Sequence, residues 1–169
     1  ANTRIRAVCL IPGTRDFVYA GARGGQSADI LAYRIPESPK TSSPVRLGQL
    51  RMSRQHTYPP AGLSVSPDGS LLVISNSTNG DLMALKKDVS SSNSTKAAFP
   101  FEQPADMEAI GDMSWLLSQH SRPVNDLQWS ADGKLFLTAS DDRRIGLWNR
   151  PAGAPTDGPM IFDRFLRGH

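Results

Sequence analysis

The chain repeats itself. Two segments, QHTYPPAGLSVSPDGS starting at Gln55 and QHSRPVNDLQWSADGK starting at Gln119, align without a gap at an offset of 64 residues. Self-similarity at a fixed period constrains the fold strongly, because each repeat is a supersecondary unit that buries its apolar faces only against its neighbours. In both copies a Gln-His pair leads into an alternating apolar run, and an Asp-Gly turn joins this to a second run, LLVIS or LFLTAS. That is a β-hairpin signature twice over. The later copy continues through Asp141-Asp142-Arg143-Arg144 into IGLWN, a third short strand. A weaker copy comes first: IRAVCLIP, a turn at Gly13-Thr14-Arg15-Asp16, FVYAGARGG and ADILAYRIP. The chain therefore reads as a threefold series of three-strand meanders.

A fourth strand per unit is expected between them, in VRLGQLRM (45–52), within residues 97–118 with MSWLLS (113–118) the best candidate, and in MIFDRFL (160–166). Each leads toward a histidine, and His56, His120 and His169 are spaced by 64 and 49 residues. The repeats are placed at about 1–55, 56–119 and 120–169. Residues 89–112 hold a Ser-rich tract, Ser90 to Thr95, followed by an acidic, proline-broken stretch, and are expected to form a flexible insert. Residues 150–159 (RPAGAPTDGP) read as a shorter loop.

Composition sets limits on this reading. With 169 residues the prior is one domain, and 14 Gly and 13 Pro suit many short elements joined by turns. The longest apolar stretches, such as Leu71 to Ile74, are far below the ~18 residues of a membrane helix, so no membrane partner is expected. The start lacks both an initiator Met and a signal-peptide core, which suggests a processed or excised chain. Cys9 is the single cysteine, so no internal disulfide and no cysteine zinc site is expected, and an intracellular setting, cytoplasmic or nuclear, fits best. The 19 Lys and Arg against 16 Asp and Glu leave a net charge of +3. These basic residues are scattered rather than clustered, which argues against a nucleic-acid footprint.

The run His120 to Asn149, HSRPVNDLQWSADGKLFLTASDDRRIGLWN, resembles one repeat of the WD-repeat (WD40) β-propellers. Those units open at Gly-His and close at Trp-Asp; here the pairs are Gln-His and Trp-Asn. His120, Thr138, Asp142 and Trp148 fall at the family's spacing. In the unit that begins at His56, the same offset puts Ile74, Thr78 and Ala84 at those places, and the Asn79-Gly80 turn implies a small shift; in the first unit Tyr33 stands near the Trp place. The resemblance implies an all-β segment of a propeller, about three four-stranded antiparallel blades belonging to a longer ring, since propellers close with ~4 to 8 blades. Cut out alone, such a segment is expected to aggregate or oligomerise.

The resemblance also implies a role for the four residues as a structural tetrad. An Asp in a tight turn accepts from one imidazole nitrogen, the other nitrogen pairs with a Thr hydroxyl, and that hydroxyl accepts from an indole N–H. Thr, His and Asp would also make a hydrolase triad, but a Thr pinned to an indole has no exposed lone pair for a substrate, there is no G-x-S-x-G elbow, and no Gly-rich oxyanion loop precedes a helix. No catalytic residue is therefore assigned. The three histidines recur at equivalent places in successive units, which puts them on different blades rather than around one ion, so no metal and no other cofactor is expected. By position in the family, Pro123, Asn125, Asp141 and Arg143 are the candidate partner-binding residues, with Pro59, Ala61 and Ser77 at corresponding places on the degenerate unit. The implied function is a non-catalytic scaffold for other proteins or peptides. Two alternatives stand beside it: the regulatory or targeting part of a longer enzyme, and a binder of phosphopeptide or nucleic acid through Arg143 and Arg144.

Overall fold

A computed structural model describes residues 3–23, 26–38, 40, 42–51, 60–89, 99–102 and 117–166. Three four-stranded sheets follow one another along the chain. The first holds β1 (Thr3–Leu10), β2 (Asp16–Arg23), β3 (Gln26–Arg34) and β4 (Val45–Arg51). The second holds β5 (Pro60–Val65), β6 (Leu71–Asn76), β7 (Gly80–Lys86) and β8 (Leu117–His120), and the third β9 (Val124–Trp129), β10 (Leu135–Ser140), β11 (Ile145–Asn149) and β12 (Ile161–Leu166). Every sheet is an antiparallel meander in chain order, and the described residues contain no helix. The fold is all-β, and the three sheets do not close into a ring. Of the three expected fourth strands, VRLGQLRM and MIFDRFL supply β4 and β12, whereas β8 overlaps MSWLLS only at Leu117 and Ser118 and runs on to His120. Residues 113–116, His56, Pro59 and His169 lie outside the described residues.

The turn chemistry explains why the first two strands of a sheet meet as they do. In the second sheet Ser66 and Asp68 form a small hydrogen-bonded cage: the Ser66 hydroxyl donates to Asp68 at 2.6 Å, and the Leu71 N–H donates back to Ser66 Oγ at 3.0 Å. The third sheet repeats it with Ser130, Asp132 and Leu135 at 2.7 and 2.9 Å. Gly69 and Gly133 take φ values of 74° and 68°, the left-handed conformation that a side chain disfavours. The Asp-Gly signal in the sequence is thus a turn signal with a mechanism.

Alternation then assigns each face. Val18, Ala20, Ile30, Ala32 and Leu50 of the first sheet pack against Leu63, Val65, Leu72, Ile74, Met83 and Leu85 of the second. The opposite face of the second sheet, Leu71, Val73, Leu82 and Ala84, packs against Val124, Leu127, Trp129, Phe136 and Trp148 of the third. Because successive side chains on a strand point to opposite faces, the middle sheet is buried on both, and β6 is buried at every position. Register shifts the equivalences slightly from the gapless offset: Leu72 pairs with Leu85 where Phe136 pairs with Trp148, so Leu85, not Ala84, stands at the Trp place.

Part of the expected insert is anchored rather than free. Phe99 and Phe101 are buried in the first core, and Phe101 bridges to Lys87 beyond the end of β7. Gly48 on β4 makes this approach possible, since a Cβ there would lie 2.5 Å from the Phe99 backbone nitrogen. Residues 90–98 and 103–112 of that insert lie outside the described residues.

Two outcomes follow from these contacts. Phe101 is 1% exposed, so Phe101→Ala should cost ~3 to 5 kcal/mol in chemical denaturation, the range for a large aromatic removed from a core. Burial works to raise the Asp68 pKa, but hydrogen bonds from Ser66, Thr156 and Ser70 outweigh it and lower the carboxyl to about 2. A depressed folded-state pKa gives stability that is present above the unfolded value of ~3.9 and is lost as pH falls through the folded one. Denaturation midpoints measured from pH 5 to pH 2 should therefore fall less steeply in Asp68→Asn than in the unsubstituted chain.

Candidate functional site

β8 ends on His120, the outermost strand of the second sheet delivering a side chain to the third. Gly80 on β7 pairs with His120, and its lack of a side chain is what lets the strand in, for a Cβ at Gly80 would sit 2.0 Å from the His120 carbonyl oxygen. From there the imidazole reaches β10 and the turn after it. His120 Nε2 lies 2.7 Å from Thr138 Oγ1, and His120 Nδ1 lies 2.9 Å from Asp142 Oδ2. The Trp148 indole N–H donates to Thr138 Oγ1 at 3.0 Å. The structure thus brings together all four residues of the expected tetrad.

Donor and acceptor counting orders this chain. An indole nitrogen only donates, so the Thr138 oxygen accepts from Trp148 and its own O–H is left to donate to His120 Nε2. A neutral imidazole with its proton on Nδ1 then donates to Asp142, and each member of the relay has a partner. The carboxylate is held further by the Ser121 and Arg144 N–H groups at 3.1 and 3.0 Å, while the Asp142 N–H donates to Ser140 Oγ at 3.1 Å. Burial acts to raise the Asp142 pKa, but the hydrogen bond from His120, with the two backbone donors, outweighs it and keeps the carboxyl below its ordinary range. The His120 side chain is 0% exposed and that of Asp142 4%.

Sequence reasoning missed the residue that makes room for this relay. A Cβ on Gly146 would lie 2.6 Å from Thr138 Oγ1, 3.0 Å from His120 Nε2 and 3.2 Å from Trp148 Nε1. The signal was present as the glycine two residues before Trp148 in IGLWN. Phe162 and Phe165 of β12 were also missed as site residues: their rings stand 5.0 Å from Trp148 and 5.2 Å from His120, closing the relay off on the side of the outer strand. Chemically the arrangement is a staple. Thr138 is 1% exposed, and its hydroxyl is held between the Trp148 indole and the His120 imidazole, so it lacks the access to a substrate that a nucleophile needs.

The staple fixes two loops at one end of the third sheet. The Asp141 N–H donates to the Pro123 carbonyl at 3.0 Å, and the Ser140 hydroxyl to the Arg122 carbonyl at 2.9 Å. Asn125 Nδ2 donates to Asp141 Oδ1 at 2.6 Å, so the exposed acidic tip is an Asn125–Asp141 pair. Arg143 turns the corner with φ at 70°. The four candidate partner-binding residues are therefore neighbours on one surface, with Pro123 half-buried and the other three exposed. The second sheet keeps the turn and not the relay: Asn76 Oδ1 accepts from the Thr78 N–H at 2.9 Å, as Ser140 Oγ does from Asp142, while Ile74 and Leu85 fill the Thr and Trp places. Ala61 and Ser77 are half-buried there. Asn76 itself is 3% exposed, which hides its amide from the glycosylation that the triplet Asn76-Ser77-Thr78 would otherwise permit.

Residues 111–149 match the family model for the WD domain, G-beta repeat. The chain carries a WD40 repeat. A stretch of 57 residues is 35% identical to the WD repeat protein iqw1 of Schizosaccharomyces pombe (strain 972 / ATCC 24843), an alignment over 29% of this chain and 7% of that protein. The chain also superposes with a TM-score of 0.64 on the crystal structure of a functionally unknown protein from Desulfotomaculum acetoxidans DSM 771. That superposition covers 98% of this chain and 43% of the other at 13% sequence identity, a likeness of fold. The chain spans less than half of the solved protein and a small fraction of the curated one.

A cooperative relay has a measurable signature. Asp142→Ala should cost ~1 to 3 kcal/mol, the price of a buried donor left without its acceptor. His120→Ala and Asp142→Ala combined should lose less than the sum of the two, and strictly additive losses would mean that the pair does not act as a unit. Gly146→Ala should destabilise by a similar ~1 to 3 kcal/mol through crowding alone, with no polar atom removed.

Proposed function

We propose that the chain is a non-catalytic scaffold that gathers other proteins or peptides on the surface formed by residues 121–125 and 140–144. One observation carries the reading: a fully buried relay holds Asp142 inward while the adjacent Asp141, with Asn125, Pro123 and Arg143, stands on the outer surface. A loop fixed by buried polar contacts presents its side chains without an ordering cost at each encounter, which is what a recognition surface on a rigid frame requires. WD-repeat domains typically bind other proteins, and this supports the same reading. An intracellular setting goes with it, since the single cysteine, Cys9, is free, and burial pushes its thiol up to about 12.

The alternating charges at the tip serve selection more than affinity. The Asn125–Asp141 pair lies beside the arginines at 143 and 144, and the Arg144 guanidinium rests 4.9 Å from the Phe165 ring centre, which holds that charge in place. A mixed-sign tip of this kind discriminates partners by charge pattern. Asp141→Arg should leave folding stability within about 0.5 kcal/mol, as exposed substitutions usually do, while weakening capture of partners. Affinity capture from the native extract, with the substituted and unsubstituted chains at matched stability, provides the check, and an unchanged set of captured proteins would remove this surface from consideration.

A further inference from the structure

Among the described residues three buried side-chain polar atoms have no hydrogen-bond partner, Trp129 Nε1 and the Nε and Nη2 of Arg150. All three belong to one pair in contact: the Arg150 guanidinium carbon stands over the Trp129 ring, 5.8 Å from its centre. Stacking holds the pair together but satisfies none of these atoms, because an indole nitrogen and a guanidinium only donate. The pair is peculiar to the third sheet. Trp129 pairs with Phe136 as Val65 pairs with Leu72 and Leu10 with Phe17. The Arg150 N–H donates to the Lys134 carbonyl at 2.8 Å, as Lys87 does to Ser70 and Ile35 to Arg15. The same places in the other two sheets thus hold Val65 with an exposed Lys87, and Leu10 with Ile35, and neither holds an unpartnered buried donor.

The place itself is complete within this chain. A Cβ on Gly133 would lie 3.6 Å from Pro67 Cδ and 3.8 Å from Arg150 Nη1, so the guanidinium sits where the 66–70 turn of the second sheet meets the 130–134 turn of the third. Both sheets of this junction are present and cover one another. Arg150 as a residue is half-buried, which puts it at the rim of the junction rather than in its depth.

Chemistry selects what such a pair receives. A guanidinium does not shed its proton to escape burial, as a lysine can, so its charge has to be met by an acceptor. The carboxylates of the two flanking turns are already held: Asp68 accepts from the Ser66 and Ser70 hydroxyls at 2.6 and 2.8 Å, and Asp132 from the Ser130 hydroxyl and the Lys134 N–H at 2.7 and 3.1 Å. Nε and Nη2 lie along one edge of the guanidinium and form a fork that the two oxygens of one carboxylate fill. The first sheet shows the fit, for the same two atoms of Arg34 donate to Asp16 at 2.7 and 3.0 Å. Asp16 stands opposite Arg34 between β2 and β3, whereas Leu135 stands opposite Asn149 between β10 and β11, so the third sheet supplies no carboxylate at that place.

We propose that Arg150 and Trp129 form a receptor for the side-chain carboxylate of an acidic peptide, the Arg150 fork taking both oxygens and the Trp129 indole N–H serving as a further donor beside it. The site is separate from the surface at 121–125 and 140–144, because the 130–134 and 140–144 turns lie at opposite ends of β10.

Titration of the full chain with N-acetyl-glutamic acid α-amide tests this, read from the indole N–H resonances in nitrogen–proton correlation spectra, with Trp129→Phe identifying the Trp129 signal. That signal should move and saturate with this probe and stay in place with N-acetyl-glutamine amide, which has the same shape without the charge. Arg150→Lys keeps the charge and loses the fork, and its dissociation constant should rise ~10-fold or more, the worth of at least one hydrogen bond to a charged group. Arg150→Leu should abolish the response and raise the denaturation midpoint of the free chain, because it removes a buried charge that has no partner there. A Trp129 signal that ignores the glutamic acid probe, or that moves with inorganic phosphate alone, would overturn the assignment to carboxylates. A lowered midpoint in Arg150→Leu would overturn it as well, by showing that the guanidinium is already satisfied within the polypeptide.

Discussion

A four-stranded sheet with apolar side chains on both faces has no stable existence as a single layer, and this constraint organises the whole molecule. Burying such faces contributes roughly 25 cal/mol for each Å² of apolar surface removed from water, and the gain is available only when the next sheet arrives in register. The second sheet satisfies the condition on both sides, which is why β6 carries no exposed position. Everything else that fixes the arrangement, including the His120 relay, works on top of that packing.

The two junctions are fixed by different means. Between the second and third sheets, His120 leaves the outermost strand of one sheet and ties Thr138, Asp142 and Trp148 of the next. Between the first and second, the described contacts are apolar, and Phe99 and Phe101 wedge in against Gly48. Magnitudes explain why either solution works but a mixture would not. A fully satisfied buried network and a well-packed apolar core are close in free energy, whereas a network with one member missing leaves a polar group without a partner at ~1 to 3 kcal/mol. In keeping with this, the Thr and Trp places change together, to Ile74 and Leu85 in the second sheet and to Tyr19 and Tyr33 in the first.

Much of this was legible in the sequence because it is local. The Asp-Gly turns, the alternation of LLVIS and LFLTAS and the placement of β4 and β12 depend on residues within one hairpin, and the spacing of His120, Thr138, Asp142 and Trp148 is the trace of a single structural unit. What could not be read depends on approach between distant segments. Gly146 matters through atoms of His120, Thr138 and Trp148, and Gly80 and Gly48 through the backbones of His120 and Phe99. A glycine in a strand signals that something comes close without saying what. Phe99 and Phe101 were hidden in another way, since a short aromatic pair set in a serine-rich and acidic stretch carries no periodicity, and its burial is decided by the groove it meets.

The relay also bears on how the exposed surface is separated from stability. Adjacent residues of one tight turn have opposite fates: Asp142 is drawn inward by His120 and two backbone donors, and Asp141 is left outside with Asn125. Because the inward residue fixes the backbone, the outward one can be exchanged for another polar or charged residue at little cost to the fold. Two further bonds, from the Asp141 N–H to Pro123 and from the Ser140 hydroxyl to Arg122, carry the same rigidity to the neighbouring loop. A frame built this way keeps the shape of its surface constant while the chemistry of the surface varies, and it is the buried half of each turn, rather than the exposed half, that limits which sequences can use it.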